Sequence, residues 1–255
     1  MLEIRNVTKN FGGVAAVSDL SLSLGETRTA GLIGPNGSGK TTLFHLVTGF
    51  YTADGGEIFF QGRRISGLPP HQISRAGLIR TFQHSRVLPF LSVRDNLIAA
   101  ACCQSGEKLL SLFFHRKKVQ EEEACFGERA ENILRQIHMA AMADSLAGSL
   151  SYGQQKLLEL GRVLMAEPAL IILDEPTAGV NPTLIHRLTD ILRSLAEKGT
   201  RIFLIEHNMP LVASLCETVF VMDAGRLIFS GTPRDAQHNE LVIDAYLGRN
   251  ADAAL

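Results

Sequence analysis

Gly34-Pro35-Asn36-Gly37-Ser38-Gly39-Lys40-Thr41 decides how this 255-residue chain is to be read. The stretch fits the pattern Gly-x-x-x-x-Gly-Lys-Ser/Thr, a loop whose backbone amides wrap a chain of phosphates. Glycines let the main chain approach the anionic oxygens closely. Lys40 adds a point charge for the terminal phosphates, and the Thr41 hydroxyl has the chemistry to ligate Mg²⁺. The flanks agree: Thr29 to Ile33 reads as a buried strand leading in, and Thr41 to Val47 as a helix leading out. That helix would present its N-terminal amides and dipole to an anion. A glycine-rich turn without a ligand explains the loop, but not why strand, loop and helix coincide. The expectation is a site for a nucleoside triphosphate.

Composition narrows what surrounds that site. The chain carries 25 Lys and Arg against 26 Asp and Glu, so charge makes no case for nucleic acid as a partner. Cys102, Cys103, Cys125 and Cys216 lack the spacing of a metal site and read as reduced thiols of a cytosolic protein. Met1 to Val7 alternates like a strand and holds no signal-peptide core. No apolar run approaches the roughly 18 residues of a spanning helix. Any membrane role would therefore pass through a partner.

Patterning divides the chain into three regions. Strands are expected at Leu2–Val7, Leu20–Leu24, Arg28–Ile33 and Glu57–Phe60, with turns at Gly12-Gly13, Gly25 and Gly55-Gly56. From about His84 to Gly148 the pattern becomes helical. Phe126, Ala130, Ile133, Leu134 and Ile137 fall on one face, and Glu121-Glu122-Glu123 marks a solvated stretch. Beyond Ser151 helices and strands alternate: a helix to about Met165, strand Ala169–Leu173, helix Pro182–Ala196 and strand Arg201–Ile205. A hairpin near Asp223 to Arg226 and a helix near Tyr246 follow. Such alternation implies a parallel sheet with crossover helices. The fold class is α/β: a P-loop NTPase core of parallel sheet with helices, an N-terminal antiparallel β subdomain, and a helical insert at about 84–150. The domain spans 1–248, leaving 249–255 as a C-terminal tail.

Leu170-Ile171-Ile172-Leu173-Asp174-Glu175 is an apolar run ending in two adjacent carboxylates. A buried strand ending in acids places them at the carboxyl edge of the sheet, where open α/β folds bind ligands. On its own, such an end is more simply a turn or a cap. Beside a phosphate loop, Asp174 can hold Mg²⁺ directly or through water, and Glu175 can orient or deprotonate an attacking water. His207 follows the next strand. An isolated histidine is more often structural, but from this position it could reach the terminal phosphate. Gln83, in Arg80-Thr81-Phe82-Gln83, ends another short strand.

Leu150-Ser151-Tyr152-Gly153-Gln154-Gln155-Lys156 joins these pieces. Alone it reads as an N-cap and helix start, with the Ser151 hydroxyl and Gly153 amide able to meet phosphate oxygens. In this order the motifs resemble the ATP-binding subunit of ATP-binding-cassette (ABC) transporters, whose signature is Leu-Ser-Gly-Gly-Gln. The resemblance covers nearly the whole chain. It implies an ATPase using ATP and Mg²⁺, with two subunits packed head to tail around shared nucleotides. Phe11 would stack on adenine. Gly37, Ser38, Gly39, Lys40, Thr41 and Thr42 would bind phosphate, with Thr41 and Gln83 on Mg²⁺. Asp174 would support the metal, Glu175 the water and His207 the γ-phosphate, while Ser151, Gly153 and Gln154 would serve the partner's ATP.

Two departures stand out. Tyr152 replaces the first glycine of the signature. Ala178-Gly179-Val180-Asn181 stands where the family has Ser-Ala-Leu-Asp, so Asn181 keeps hydrogen bonding but loses charge. Ser151 to Gln154, Arg80 to His84, Ser92-Val93-Arg94-Asp95-Asn96 and the ending Ala245-Tyr246-Leu247-Gly248 resemble the ATPases of branched-chain amino-acid importers. The long insert suits the larger of that system's two ATPases. A urea or amide importer is the nearest alternative, followed by a soluble ABC ATPase or a non-hydrolysing regulatory subunit. The resemblance further implies a homo- or heterodimer with a second ABC ATPase, integral-membrane permease subunits and, through them, an extracytoplasmic substrate-binding protein. No nucleic acid is expected. The chain would be peripheral on the cytoplasmic face of the plasma membrane. Arg86 to Leu91 is the expected permease contact, whereas Leu109-Leu110 and Phe113-Phe114 read as core.

Overall fold

The opening strand shows how local chemistry sets the architecture. In β1 (Leu2–Phe11) Leu2 and Ile4 are buried, but the two-residue alternation breaks, and Val7 instead of Asn6 faces the core. A bulge absorbs the extra residue: the register against β2 (Val14–Ser23) shifts between Ile4 and Val7, and Asn6 takes φ 48°. Both strands run longer than their alternation suggests, because Gly12 (φ 51°) and Gly13 (φ 94°) turn the chain tightly between them.

A computed structural model describes residues 1–81, 87–101 and 116–252, with side chains at all of these but 116–119 and 248–252. Gln83, Arg86, Cys102, Cys103, Leu109, Leu110, Phe113 and Phe114 lie outside the described residues. The chain forms two units. One comprises Met1–Arg80, Ala169–Ala178 and Leu192–Leu255, the other Thr81–Pro168 and Gly179–Ile191.

The first unit holds two sheets. β4 (Gly55–Phe60) and β5 (Arg63–Arg64) extend the first antiparallel sheet in the order β2-β1-β4-β5. The second contains β3 (Thr29–Ile33), β6 (Leu78–Arg80), β7 (Leu170–Asp174), β8 (Arg201–Ile205), β9 (Thr218–Asp223) and β10 (Arg226–Gly231), in the order β10-β9-β3-β8-β7-β6. All its pairs are parallel except β9–β10. Every residue of β3 and β7 is buried, as continuous apolar strands covered on both faces must be. Phe44, Phe60 and Phe203 fill the core with aliphatics from both sheets. The parallel register brings the carboxyl ends of β3, β8, β7 and β6 side by side. This edge carries the chemistry.

The second unit is helical. Helices Val93–Ile98, Arg116–Gln136 and Tyr152–Leu164 pack through Leu97, Ala130, Ile133, Leu134, Ile137, Leu157 and Leu158, all buried. The expected apolar face of the long helix is the buried one, with Phe126 half-buried and Glu121 and Glu123 exposed. Gly161 permits the close approach. A Cβ there would lie 2.9 Å from Ile137 Cδ1 and 3.0 Å from Leu97 Cδ2. Toward the chain end, a helix runs from Glu240 to Asp252, through the start of the expected tail. No helix of the described residues is long and apolar enough to cross a membrane.

Candidate active site

The phosphate loop leaves β3 at Gly34 and enters the helix Lys40–Val47. Gly34 (φ 148°) and Gly39 (φ 99°) adopt backbone that favours glycine, and neighbours exclude any Cβ. It would sit 2.1 Å from Met222 O at Gly34 and 2.2 Å from Ala16 O at Gly39. The Gly225 amide also donates to Ser38 O at 3.1 Å, so the β9–β10 turn braces the loop. The Tyr246 hydroxyl accepts from the Gly34 amide. Burial pushes its pKa up and that bond pulls it back. Lys40 is buried, and its Nζ donates to Gly34 O at 2.9 Å and Pro35 O at 2.8 Å. The ammonium thus lies inside the loop, while Asn36, Gly37 and Thr41 are exposed at its mouth and Thr42 is half-buried.

Phe11 is 43% exposed. Tyr51 meets it edge-on with centroids 5.3 Å apart, and Lys9 Nζ lies 5.4 Å from its ring. Tyr51 in turn lies 4.8 Å from the His45 ring.

The acids follow β7. Asp174 is buried and its Oδ2 accepts from Arg80 Nη2 at 2.5 Å. Glu175 leaves the strand with φ 48°, a left-handed conformation rare outside glycine, and its amide donates to Ile205 O at 3.0 Å. This turn carries its carboxylate to His207, with Oε1 3.1 Å from Nε2. The two side chains are 29% and 41% exposed, so water reaches both. The structure therefore brings together Glu175 and His207, which the sequence placed on separate strand ends.

Glu206 was missed as a functional residue. It is 2% exposed, and its carboxylate accepts from Thr177 N (3.0 Å), Thr177 Oγ1 (2.7 Å), His207 N (3.0 Å) and Asn208 N (3.2 Å). One buried acid thus ties the turn after Glu175 to the turn after β8. Its signal was its position between a buried strand and His207. Arg80 was missed too, since within a strand it reads as a surface residue.

The signature residues belong to the second unit. Ser151 is the N-cap of the helix Tyr152–Leu164: its Oγ accepts from Gln154 N at 3.4 Å, and Gln154 Oε1 accepts from Ser151 N at 2.9 Å. Gly153 lies against Leu184, whose Cδ2 would have to move from a Cβ placed there, 2.0 Å away. Tyr152 is 46% exposed, with Lys156 Nζ 5.7 Å from its ring, and a Cβ at Gly179 would lie 3.4 Å from its Cε1. Asn181 caps the helix Pro182–Glu197, its Oδ1 accepting from Leu184 N at 2.9 Å. Asn serves there as well as Asp.

A glycine cradle, a buried lysine and paired acids on one edge of a parallel sheet define a P-loop nucleotide-hydrolysing protein. The family model described as ABC transporter matches residues 17–178, and another, described as branched-chain amino acid ATP-binding cassette transporter, matches 226–252. The chain belongs to the ABC transporter family of ATP-binding cassettes. It is 38% identical, over 97% of its length and 98% of the relative's, to the high-affinity branched-chain amino acid transport ATP-binding protein BraF of Pseudomonas aeruginosa. It is 36% identical over the same shares to LivG of Escherichia coli, which carries the same description. Among solved structures, the ADP conformation of the cassette MJ1267 superposes with a TM-score of 0.84 at 35% identity, covering 97% of this chain and 98% of that one. A nucleotide-free cassette from an ABC transporter gives 0.82 at 34%, over 96% and 98%.

Proposed function

We propose that this chain is the ATP-hydrolysing subunit of a membrane importer for branched-chain amino acids. Hydrolysis rests on the contact between Glu175 and His207 at the sheet edge beside the phosphate loop. The substrate class rests on the near full-length likeness to branched-chain amino acid transport proteins.

In this reading the amides of Gly37 to Thr42 and the Lys40 ammonium hold the phosphates, and Phe11 stacks on adenine. Glu175 takes the proton of the attacking water as it closes on the γ-phosphorus. His207 steadies Glu175 through Nε2 and faces the γ-phosphate. The donors available to a metal are hard oxygens, the Thr41 hydroxyl and the Asp174 carboxylate, as Mg²⁺ prefers. Among the described residues no group of three or more His, Cys, Asp or Glu could hold a metal ion, so Mg²⁺ would arrive with the nucleotide's own oxygens. When bound, it neutralises charge on the β- and γ-phosphates. Gln83 belongs to this set by sequence alone.

The ATPase domain is taken as 1–248, with the helical insert at about 84–150. Ser151, Gly153 and Gln154 serve the ATP of a second cassette, identical or paralogous. The permease docks on an apolar rim of the second unit where Phe90 is 90% exposed beside Leu88, Leu91 and Leu146. Asn96, fully buried, fixes that rim by donating to Leu88 O and Ser92 O (both 2.9 Å) and accepting from Leu88 N (2.8 Å). Such a patch, held rigid and left bare, suits a protein partner. The chain then lies peripherally on the cytoplasmic face, coupled through the permease to an extracytoplasmic binding protein.

Glu175→Gln tests the base. The phosphate clamp survives, so ATP binding is retained while hydrolysis falls by orders of magnitude, roughly 10²-fold or more. Wild-type turnover refutes the role. Leucine uptake by cells carrying Glu175→Gln in place of the native chain tests the substrate, and undiminished uptake refutes it.

A further inference from the structure

Asp174 is buried at the carboxyl edge of the sheet. Its carboxylate is 5% exposed and one oxygen is taken by Arg80, itself 6% exposed. Arg80 makes a second contact: its Nη1 lies 3.2 Å from His45 Nδ1. The guanidinium carbon sits 6.0 Å from the Phe44 ring centroid, and Arg80 Nε is buried without a hydrogen-bond partner. The guanidinium is thus committed to two polar contacts, one with the acid at the end of β7 and one with the helix that leaves the phosphate loop.

His45 lies on the Lys40–Val47 helix, four residues after Thr41. Residues four apart share one helix face. Holding His45 therefore sets the rotation of the face that presents the Thr41 hydroxyl. Holding Asp174 Oδ2 fixes the carboxylate plane and leaves Oδ1 for other work. We infer that Arg80 is a positioning residue that clamps the two halves of the metal site together, gripping Asp174 with one arm and the phosphate-loop helix, through His45, with the other. This rests on the reading of Thr41 and Asp174 as the residues that meet Mg²⁺.

A planar fork is what the task requires. Guanidinium donors point in fixed directions and reach two acceptors at once, whereas an ammonium on a shorter stem reaches one and leaves the other adrift. Groups that orient metal-binding side chains typically change metal affinity by about 10- to 100-fold when removed. Because Arg80 touches no phosphate-binding residue of the loop directly, metal-free nucleotide affinity should be spared.

The test is Mn²⁺ binding to the ADP-loaded protein, followed by the spin-resonance signal of free Mn²⁺, alongside ADP affinity in EDTA. Wild type is compared with Arg80→Gln, Arg80→Lys and Asp174→Asn. The expected result is Mn²⁺ affinity lower by about tenfold in Arg80→Gln, ADP affinity in EDTA within about twofold of wild type, and little recovery in Arg80→Lys. Unchanged Mn²⁺ affinity in Arg80→Gln with weakened binding in Asp174→Asn overturns the clamp and leaves the Asp174 reading standing. Unchanged binding in Asp174→Asn overturns both. Tighter Mn²⁺ binding in Arg80→Gln overturns the clamp by making Arg80 a competitor of the metal. Should Arg80→Gln lack a cooperative thermal transition, His45→Phe severs the other arm while keeping the ring contacts. It should weaken Mn²⁺ by about threefold or more, and wild-type affinity there overturns the clamp.

Discussion

Replacing Glu206 by Gln removes one charge and changes one oxygen to an amide nitrogen, and the contacts allow its effect to be worked out. Four donors converge on the carboxylate, two on each oxygen. A glutamine has a single acceptor oxygen. If that oxygen faced Thr177, the new NH₂ would confront the amides of His207 and Asn208, both donors with no alternative role. The other orientation is better. The oxygen keeps His207 N and Asn208 N, and the NH₂ donates to Thr177 Oγ1, whose hydroxyl can rotate. One group, the Thr177 amide, is left facing a donor.

An unsatisfied buried amide costs about 1–3 kcal/mol, and the two surviving bonds lose their charge assistance, so the total is about 2–4 kcal/mol. For a chain of this size each kcal/mol shifts Tm by about 2–4 °C, giving a fall of roughly 5–15 °C. The loosened segment is the turn that sets Glu175, so kcat should drop by about 10- to 100-fold as the proposed base is displaced. Calorimetry and steady-state phosphate release, run on the same preparation, read both quantities. A Tm within about 1 °C of wild type would refute the account of Glu206 as the anchor of these turns. A lowered Tm with wild-type kcat would show that it anchors the fold but not the base.

Three further outcomes follow from the same geometry. Lys40→Ala removes an ammonium already seated inside the phosphate loop. Nucleotide affinity should fall by about 1.5–3 kcal/mol, the worth of a charge-assisted bond, and unchanged affinity by equilibrium titration would exclude that role. Asn181→Ala should lower stability in urea by about 1 kcal/mol, whereas Asn181→Asp should lie within a few tenths of wild type, since both residues cap helices well. An alanine variant as stable as wild type would dismiss the cap. Cys216 is buried and its thiol is pushed up to about 12, first by burial and then by nearby Glu206, so little thiolate forms near neutrality. Peptide-resolved iodoacetamide labelling should modify exposed Cys125 in the native protein and Cys216 only after unfolding. Early labelling of Cys216 would contradict its burial.

What could be read in advance was whatever local pattern dictates. A phosphate loop needs glycine where the backbone is left-handed or crowded, and Gly34 and Gly39 are such positions, so their spacing is visible in one dimension. The continuous apolar run of β7 announced a strand covered on both faces. The bulge in β1 was invisible because it depends on how Asn6 and Asp19 pair across strands, joined by a 2.9 Å bond between their side chains. Arg80 and Glu206 escaped for a related reason. Each is a charged residue at the end of a hydrophobic strand, where sequence alone suggests solvent, and only the parallel register supplies the partners that let it be buried. In the sequence Asn181 reads only as a departure that keeps hydrogen bonding and loses charge. Within the chain it caps a helix, a role to which the missing charge is immaterial.

The backbone at Glu175 ties these observations together. A non-glycine residue at φ 48° costs of the order of 1–3 kcal/mol and persists only where its surroundings over-determine it. Here three constraints meet. The amide of Glu175 is spent on Ile205 O, Asp174 immediately before it is pinned by Arg80, and Thr177 two residues later is pinned by Glu206. An extended continuation of β7 would point the Glu175 side chain out of one face of the sheet. The left-handed turn brings it to His207 instead. The strain is thus the geometric condition for pairing the Glu175 carboxylate, the proposed base, with His207 across two adjacent strand ends. The buried ions on either side, Arg80 and Glu206, are what keep the chain from relaxing out of it.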